Sequence, residues 1–304
     1  MTRVLVTGAT GAIGGRLLRP LLDGGHSVRA LVRDPARADL PDAVEVVRGD
    51  VVSGAGLVEA LAGVDTAYYL VHAMGRGNGR DFERGDRIAA ANVGTAAARA
   101  GTGRVVYLGG LEPTEARRDS AHLRSREEVA RLLAEHVPGT VHVRAAMVIA
   151  ADSSSFVMLR ALVERLPAMV CPRWIDTRSQ PVAVDDVVAT LAALADSADV
   201  PAEVQVGGAD VLTYREMMSR FAVLAGRRAP LIVRVPVLTP RLSSYWVQLV
   251  TPVEAALVRP LVAGLGAEML VRTPPPAGLN DAPRGFDDAV RAALREASDA
   301  RVVA

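Results

Sequence analysis

Cysteine is almost absent from this chain: Cys171 stands alone, which excludes an internal disulfide and points to a reducing compartment. Neither sign of charge is in excess. Thirty-five basic against thirty-four acidic side chains leave a formal net charge of +1, so no overall field draws nucleic acid or anionic lipid. Long apolar runs are missing as well. No uncharged stretch exceeds twelve residues; Leu242 to Val253, one of that length, includes Ser243, Ser244, Gln248 and Pro252 and falls well short of the roughly 20 residues that cross a bilayer. Histidines 26, 72, 122, 136 and 142 lack the i, i+4 pairing and neighbouring cysteines of a metal centre, and no metal is expected. No internal repeat is visible. No basic-then-apolar leader precedes the first strand-like run, so the expected location is the cytoplasm.

What is present describes a globular protein. The 304 residues are 50% hydrophobic and 23% charged, enough to bury a large core in one large or two interlocked domains. The most informative residues are Thr7-Gly8-Ala9-Thr10-Gly11-Ala12-Ile13-Gly14-Gly15, which follow the apolar run Val4-Leu5-Val6 and open a helical pattern. Three glycines spaced three apart at a strand-to-helix junction are the fingerprint of dinucleotide binding. Gly8 allows the tight turn, Gly11 lets the backbone approach a pyrophosphate, and Gly14 lets the helix lie close to the sheet. The free N–H groups of the first helical turn then face the anion.

The unit that follows supports this reading. A helix from Ala12 to Leu22, interrupted only by Pro20, is stopped by Gly24-Gly25, and a second apolar strand runs from Ser27 to Val32. Arg33 then stands at the position that reads the ribose. An arginine there suits a 2′-phosphate, which favours NADP (as NADPH) over NAD, while Asp34 beside it keeps NAD open. Arg37 is a second candidate for the phosphate.

Buried-type strand runs recur at 44–47, 66–71, 104–108 and 141–148, separated by helical stretches near 55–62, 82–100 and 125–135. Alternation of this kind predicts an α/β, Rossmann-type doubly wound parallel sheet. Ligands then gather at the carboxyl ends of the strands, where Gly8, Arg33, Asp50, His72 and Gly109-Gly110 fall. The glycine-rich loop from Ala73 to Asp81 borders that cleft and is expected to be mobile.

Beyond residue 150 the pattern changes. A helix over 156–166 is followed by strand-like 180–184, a helix over 185–195 and a strand over 203–206. A helix from Thr213 to Ala225 opens with Thr213 and Glu216 in capping-box spacing. A proline-rich apolar region, 230–271, precedes a Pro274-Pro275-Pro276 linker and an amphipathic helix whose stripe is Phe286, Ala289, Val290, Ala293, Leu294 and Ala297. The expected organisation is an NAD(P)-binding Rossmann domain over 1–150, completed by about 180–208. A smaller substrate-side subdomain follows over 151–179 and 209–272, with linker and terminal helix over 273–304. Met147, Met158, Met169, Trp174, Tyr245 and Trp246 are candidates to line an apolar pocket there.

With these pieces in order, the chain resembles the atypical branch of the short-chain dehydrogenase/reductase superfamily. The likeness is to NmrA-like proteins, the NADPH-binding accessory subunit of respiratory complex I and a bacterial subgroup of NAD(P)-binding oxidoreductases. It runs from residue 3 to about 272 and is carried by TGATGAIGG, Arg33-Asp34-Pro35, Gly49-Asp50-Val51, YYLVHAMG, Asn92-Val93-Gly94-Thr95, VVYLGGL and the run from Gln180 to Val187. The resemblance implies that Asp50 reads the adenine amino group with Val51 beside the ring. It also implies that Leu70, Val71 and His72 lie along the cofactor and that Asn92 braces the fourth strand.

The departures from that pattern bear on activity. Active relatives use a Tyr-x-x-x-Lys pair with a helper serine; the aligned positions here read His122-Leu123-Arg124-Ser125-Arg126, and Gly109-Gly110 replace the serine. His122 and Arg126, four apart on a helix, share a face. An imidazole titrates near neutrality and can pass a proton, whereas a guanidinium can hold ribose hydroxyls but cannot shuttle one. Two functions follow. One is an oxidoreductase acting on a small apolar substrate (a carbonyl compound, an enal or a quinone-like acceptor). The other is a non-catalytic NADP(H)-binding redox sensor or accessory protein bound to a redox partner.

Overall fold

The computed structural model describes residues 1–72, 81–113, 121–235, 250–253, 262 and 265–303. Seven parallel strands form the central sheet in the order β11-β6-β5-β4-β1-β2-β3. They are β1 (Arg3–Thr7), β2 (Ser27–Val32), β3 (Glu45–Arg48), β4 (Thr66–Tyr69), β5 (Arg104–Gly110), β6 (Thr140–Ala145) and β11 (Glu203–Val206). The order reverses between β1 and β4, and the crevice at their carboxyl ends is the switch point at which such sheets bind ligands.

Period-two alternation sorts the strand residues between two cores. Val4, Val6, Val28, Ala30, Tyr68, Val106, Val141 and Val143 pack against α1 (Ala12–Asp23) and α6 (Val184–Ala193). Leu5, Leu31, Ala67, Tyr69, Val105 and Tyr107 face α2 (Leu57–Leu61), α3 (Asp81–Ala100) and α4 (Ala121–His136). With both faces covered, the strands read as continuous apolar runs.

A third core is built after residue 150. It joins α5 (Ser154–Arg165), α7 (Tyr214–Leu224) and the terminal helix Phe286–Val303, whose Phe286, Ala289, Val290 and Ala293 are buried in it. The amphipathic stripe therefore packs on its own chain. Thr213 makes the expected capping box: its Oγ1 accepts from the Glu216 N–H while Glu216 accepts from the Thr213 N–H.

Two sequence boundaries needed correction. The apolar run 141–148 is two strands in two sheets: β6 ends at Ala145, and β7 (Val148–Ile149) pairs with β10 (Val182–Ala183). Ala146 N–H still reaches Val206 O, after which Met147 O turns to accept from Val182 N–H. The run 180–184 is likewise shorter than expected. It is preceded by a separate strand, β9 (Arg178–Ser179), which pairs antiparallel with β12 (Leu212–Thr213), and within the run only Val182–Ala183 are strand. Hydrophobicity alone marks such residues as buried but does not mark which ladder they join. The remaining small sheet pairs β8 (Ala168–Cys171) with β13 (Leu231–Arg234).

Candidate cofactor and active site

The first wall of the site is the turn between β1 and α1. Gly8 has φ +73°, in the left-handed region, and a Cβ there would lie 2.8 Å from the Leu70 carbonyl oxygen, so only glycine fits under β4. Gly11 N–H donates to Gly8 O at 3.0 Å, closing the turn. A Cβ on Gly14 would stand 2.2 Å from that same Gly8 oxygen, which fixes how closely α1 approaches the strand. Gly11 caps α1 with no side-chain bond, and the first turn carries no acidic residue, so its N–H groups remain available to an anion.

Around this turn lies a cleft of about 600 Å³ lined by Thr7, Gly8, Thr10, Gly11, Arg33, Asp34, Arg37, Gly49, Asp50, Val51, Leu70, Val71 and His72. The expected cofactor residues are thus gathered from the carboxyl ends of four strands. Asp34 is committed locally: its carboxylate accepts from Ala36 N–H at 3.2 Å and caps the short 3₁₀ turn Pro35–Arg37. Arg33 and Arg37 flank it, both exposed on the cleft. Asp50 Oδ1 accepts from Val52 N–H at 2.7 Å and Ser53 N–H at 3.1 Å, which fixes the carboxylate at the cleft wall. Asn92 differs from the expectation. Its Nδ2 donates to Val51 O at 3.0 Å and Val52 O at 2.9 Å, so it braces the loop after β3 rather than the fourth strand.

His72 also lines a second cavity, of about 340 Å³, together with Ala12, Ile13, Gly109, Gly110, Leu123 and Arg126 on one side. Met147, Met158, Trp174, Ser179, Tyr214, Met218 and Met269 are among its other walls. Arg126 thus reaches this cavity. His122 lies in the first turn of α4, and its side chain is outside the described residues. Of the pocket candidates, Met169 is buried in the third core instead of lining the cavity, and Tyr245 and Trp246 lie outside the described residues, as does the glycine-rich stretch 73–80. Gly14 supports the turn from behind and does not line either cavity.

Beneath Gly109 the structure holds a residue that sequence reasoning missed. His142 on β6 pairs with Tyr107 in register, its ring stacks on Tyr107 at 5.0 Å, and its Nε2 would lie 2.1 Å from a Cβ at position 109. The imidazole fills the space that a serine side chain would need. Burial, reinforced by the Arg144 guanidinium, pushes its pKa down to about 3, so it is neutral at pH 7. Arg144, buried beside it, is held by Glu127 at 2.6 and 2.8 Å, by Glu203 at 2.6 Å and by Glu112 at 3.4 Å. The sequence signal for this cluster was present: Thr140, His142 and Arg144 alternate along a strand whose other face is apolar. Nearby, Ser125 donates to the buried Asp86 at 3.0 Å and ties α4 to α3 next to Arg126.

Residues 8–161 match the NAD(P)H-binding family, about half of the chain and every cleft residue just named except Thr7. The chain belongs to the NAD(P)H-binding family. Among curated relatives it is 37% identical over 114 residues to a 3β-hydroxysteroid dehydrogenase/Δ5→4-isomerase of Mycobacterium tuberculosis, covering 34% of this chain and 30% of that protein. An uncharacterized protein of the same organism is 28% identical over 227 residues, 74% of this chain and 23% of that one. This member of the family therefore spans less than a third of the length of either relative. Solved structures share its fold from end to end. A Citrobacter triphenylmethane reductase complexed with NADP(H) superposes with TM-score 0.73 at 20% identity, covering 96% of this chain and 100% of that one. An NADPH-dependent quinone oxidoreductase of Escherichia coli, complexed with NADPH, superposes with TM-score 0.72 at 17% identity over 94% and 98%. The Rossmann fold and nicotinamide dinucleotide binding expected from the glycine turn are both met. Among the described residues no helix is long and apolar enough to cross a membrane, and no cluster of His, Cys, Asp and Glu could hold a metal.

Proposed function

We propose that this NAD(P)H-binding protein is an NADPH-dependent reductase of a small apolar carbonyl, enal or quinone-like acceptor. The observation that carries the reading is the second cavity: it is mostly apolar, shares His72 with the dinucleotide cleft, and has Arg126 on its wall. In this reading residues 1–150, completed by 180–208, hold the cofactor. Residues 151–179 and 209–272 enclose the acceptor.

Bound along the cleft, the cofactor would supply a hydride from its nicotinamide ring. The chain supplies the rest. Thr10, Gly11, Ala12 and Ile13 present the turn and first helical amides to the pyrophosphate, Asp50 and Val51 take the adenine, and Leu70, Val71 and His72 run beneath the nicotinamide half. Arg126 hydrogen-bonds the ribose hydroxyls, and His122, one turn before it on α4, donates the proton to the acceptor oxygen. The sequence holds no lysine at all, its basic residues being thirty-five arginines, so no lysine elsewhere could replace Arg126. In stopped-flow oxidation of bound NADPH, His122→Ala is expected to slow acceptor-dependent turnover at least tenfold, a floor set below the ~10²–10⁴ that general acids supply. Equal rates in both proteins would remove His122 from the mechanism.

The preference for NADPH rests on Arg33 and Arg37, since Asp34 is occupied in capping its own turn. Calorimetric titration of Arg33→Ala is expected to show NADPH affinity reduced about 10- to 100-fold, the range of one or two charge-assisted hydrogen bonds, with NADH affinity nearly unchanged. A variant that still preferred NADPH as strongly as the parent would shift the assignment to Arg37.

A second reading has its own support. His142 occupies the volume in which the helper serine would stand, and the tyrosine and lysine are replaced. A non-catalytic redox sensor or accessory protein would bind NADPH, turn over no acceptor, and hold a redox partner with an affinity that differs between NADP and NADPH.

A further inference from the structure

The net charge of +1 conceals a local imbalance. Where the end of α5 meets the turn between α7 and β13, a groove of about 580 Å³ is lined by Arg165, Arg227 and Arg228, with Leu166, Pro167 and Leu231 among its apolar walls. Glu164 is the one acidic side chain among the described lining residues, and its carboxylate is taken by Arg160 at 3.0 Å. The groove arginines bond only carbonyls. Arg165 donates to Val250 O at 2.8 Å and Arg227 to Glu164 O at 3.4 Å, while Arg228 has no partner among the described residues. A carbonyl holds a guanidinium in place without cancelling its charge. The C-termini of α5 and α7 each carry about half a negative charge, which offsets about one of the three positive charges and leaves about two.

Leu231 belongs both to this groove and to an apolar face beside it. In the ribbon of β8 and β13, Leu231 pairs with Ala168 and Val233 with Val170. Met169 and Cys171 are buried in the third core, so strand alternation turns these four residues outward. Leu231 is 66% exposed, Val170 49% and Val233 48%, an amount of aliphatic surface that ordinary packing would have covered. A folded protein partner is gripped by aromatic anchors at the centre of an interface. Four short aliphatic side chains continuous with three guanidiniums suit instead a fluid surface, anionic outside and apolar within.

We propose that this face docks the protein peripherally on an anionic phospholipid bilayer. Arg165, Arg227 and Arg228 meet the lipid phosphates while Val170, Leu231 and Val233 press into the boundary between headgroups and acyl chains. Either set by itself attaches weakly, and the two together give reversible binding. The same α5 that ends at Arg165 begins with Ser154 and Ser155 on the wall of the 340 Å³ cavity, about 17 Å away at the helical rise. Docking therefore brings the cavity wall near a phase in which an apolar acceptor dissolves. That consequence rests on the proposed reductase; the attachment itself does not.

Flotation of the full chain with lipid vesicles, without cofactor or acceptor, is the test. Phosphatidylcholine vesicles containing about 30% phosphatidylglycerol are expected to carry the protein up the gradient at about 0.1 M NaCl, whereas pure phosphatidylcholine vesicles leave it behind. Raising NaCl to about 1 M, which shortens the screening length from about 10 to about 3 Å, should release it. Each arginine near such a surface is worth about a fivefold factor in partitioning, so Arg227→Gln with Arg228→Gln should weaken binding about 30-fold. Leu231→Ser should weaken it about fivefold. Arg19→Gln with Arg48→Gln removes the same charge from exposed sites on α1 and β3 and should change binding less than about twofold. Arg228→Gln, which breaks no bond among the described residues, carries the comparison if a melt shows the double variant unfolded. Equal partitioning onto the two vesicle types, no loss with the groove variants, or an equal loss with Arg19 and Arg48 replaced would overturn the proposal. Binding to poly-L-glutamate that needs Arg227 and Arg228, with none to vesicles, would overturn it in favour of an acidic polypeptide. Attachment to vesicles without any NADPH oxidation would instead remove the reductase reading and leave the docking face standing.

Discussion

Gly14→Ala is expected to abolish nicotinamide dinucleotide binding and to lower the melting temperature, whereas Gly15→Ala, one residue on, does neither. A Cβ at Gly14 would lie 2.2 Å from the Gly8 carbonyl oxygen and 2.8 Å from its carbon, contacts between two backbone segments with no flexible side chain to yield. Relief requires α1 to back away from the turn, which moves the amides that would face the pyrophosphate. Overpacking of this kind costs about 3 kcal/mol, or roughly 5–10 °C for a chain of this size, and the displaced amides should weaken NADPH at least ~100-fold. At Gly15 the same methyl would meet only Ala9 O at 3.4 Å, an ordinary contact on an exposed helical position. There alanine gains up to about 1 kcal/mol of helix propensity. Calorimetry with NADPH and a thermal melt of both variants make the comparison; similar behaviour of the two would mean that the glycine turn does not set the cofactor cleft.

The second large effect is on acid stability. His142 titrates in the folded protein at about 3, against about 6.5 when unfolded, because burial and the neighbouring Arg144 disfavour its charged form. Below about pH 6.5 the unfolded chain therefore binds a proton that the folded chain refuses. Stability is full above that value and is lost as pH falls through the window, at up to about 1.4 kcal/mol per pH unit. Asp176, Glu203 and Glu216, whose carboxyls are held below their ordinary range by arginine partners or by the Thr213 cap, add losses of the same sign. Those carboxylates are half protonated in the unfolded chain only near pH 4–4.5, so their share stays small above about pH 5.5. Between pH 6.5 and 4.5 most of the loss belongs to His142 and amounts to about 2–3 kcal/mol. Denaturant midpoints measured across that interval should slope in the parent and be nearly flat in His142→Gln. A slope that survives the substitution would show that the imidazole is not the group responsible.

That histidine also links stability to chemistry. Its ring occupies the space beside Gly109 that a serine side chain would need, so Gly109 is required there. A proton donor at this cavity can come from α4, from His72 after β4, or from the substrate-side wall. His122 on α4 is accordingly the residue whose replacement tests the reductase reading most directly.

Much of the cofactor cleft was legible in the linear order of residues. The turn Gly8-Ala9-Thr10-Gly11, the strand ending at Arg33 and the Gly49-Asp50-Val51 junction are local signals, each written within a few residues, and parallel βα units place all of them on one edge of the sheet. The inward stripe of the terminal helix was equally plain, because helical periodicity belongs to the chain itself. Tertiary structure alone decided the rest. Whether Asn92 reached the β3 loop or the fourth strand depended on how α3 lay across the sheet. That Asp34 caps its own turn and leaves Arg33 facing the cleft is a matter of backbone direction, not of residue type. His142 under Gly109, and Trp174 against Tyr214, join residues far apart in sequence whose meeting no periodicity records. Local propensity and spacing fix which residues can form a strand, a cap or an anion-binding turn; the polar atoms that end up buried without a partner are determined only when separate elements close over one another.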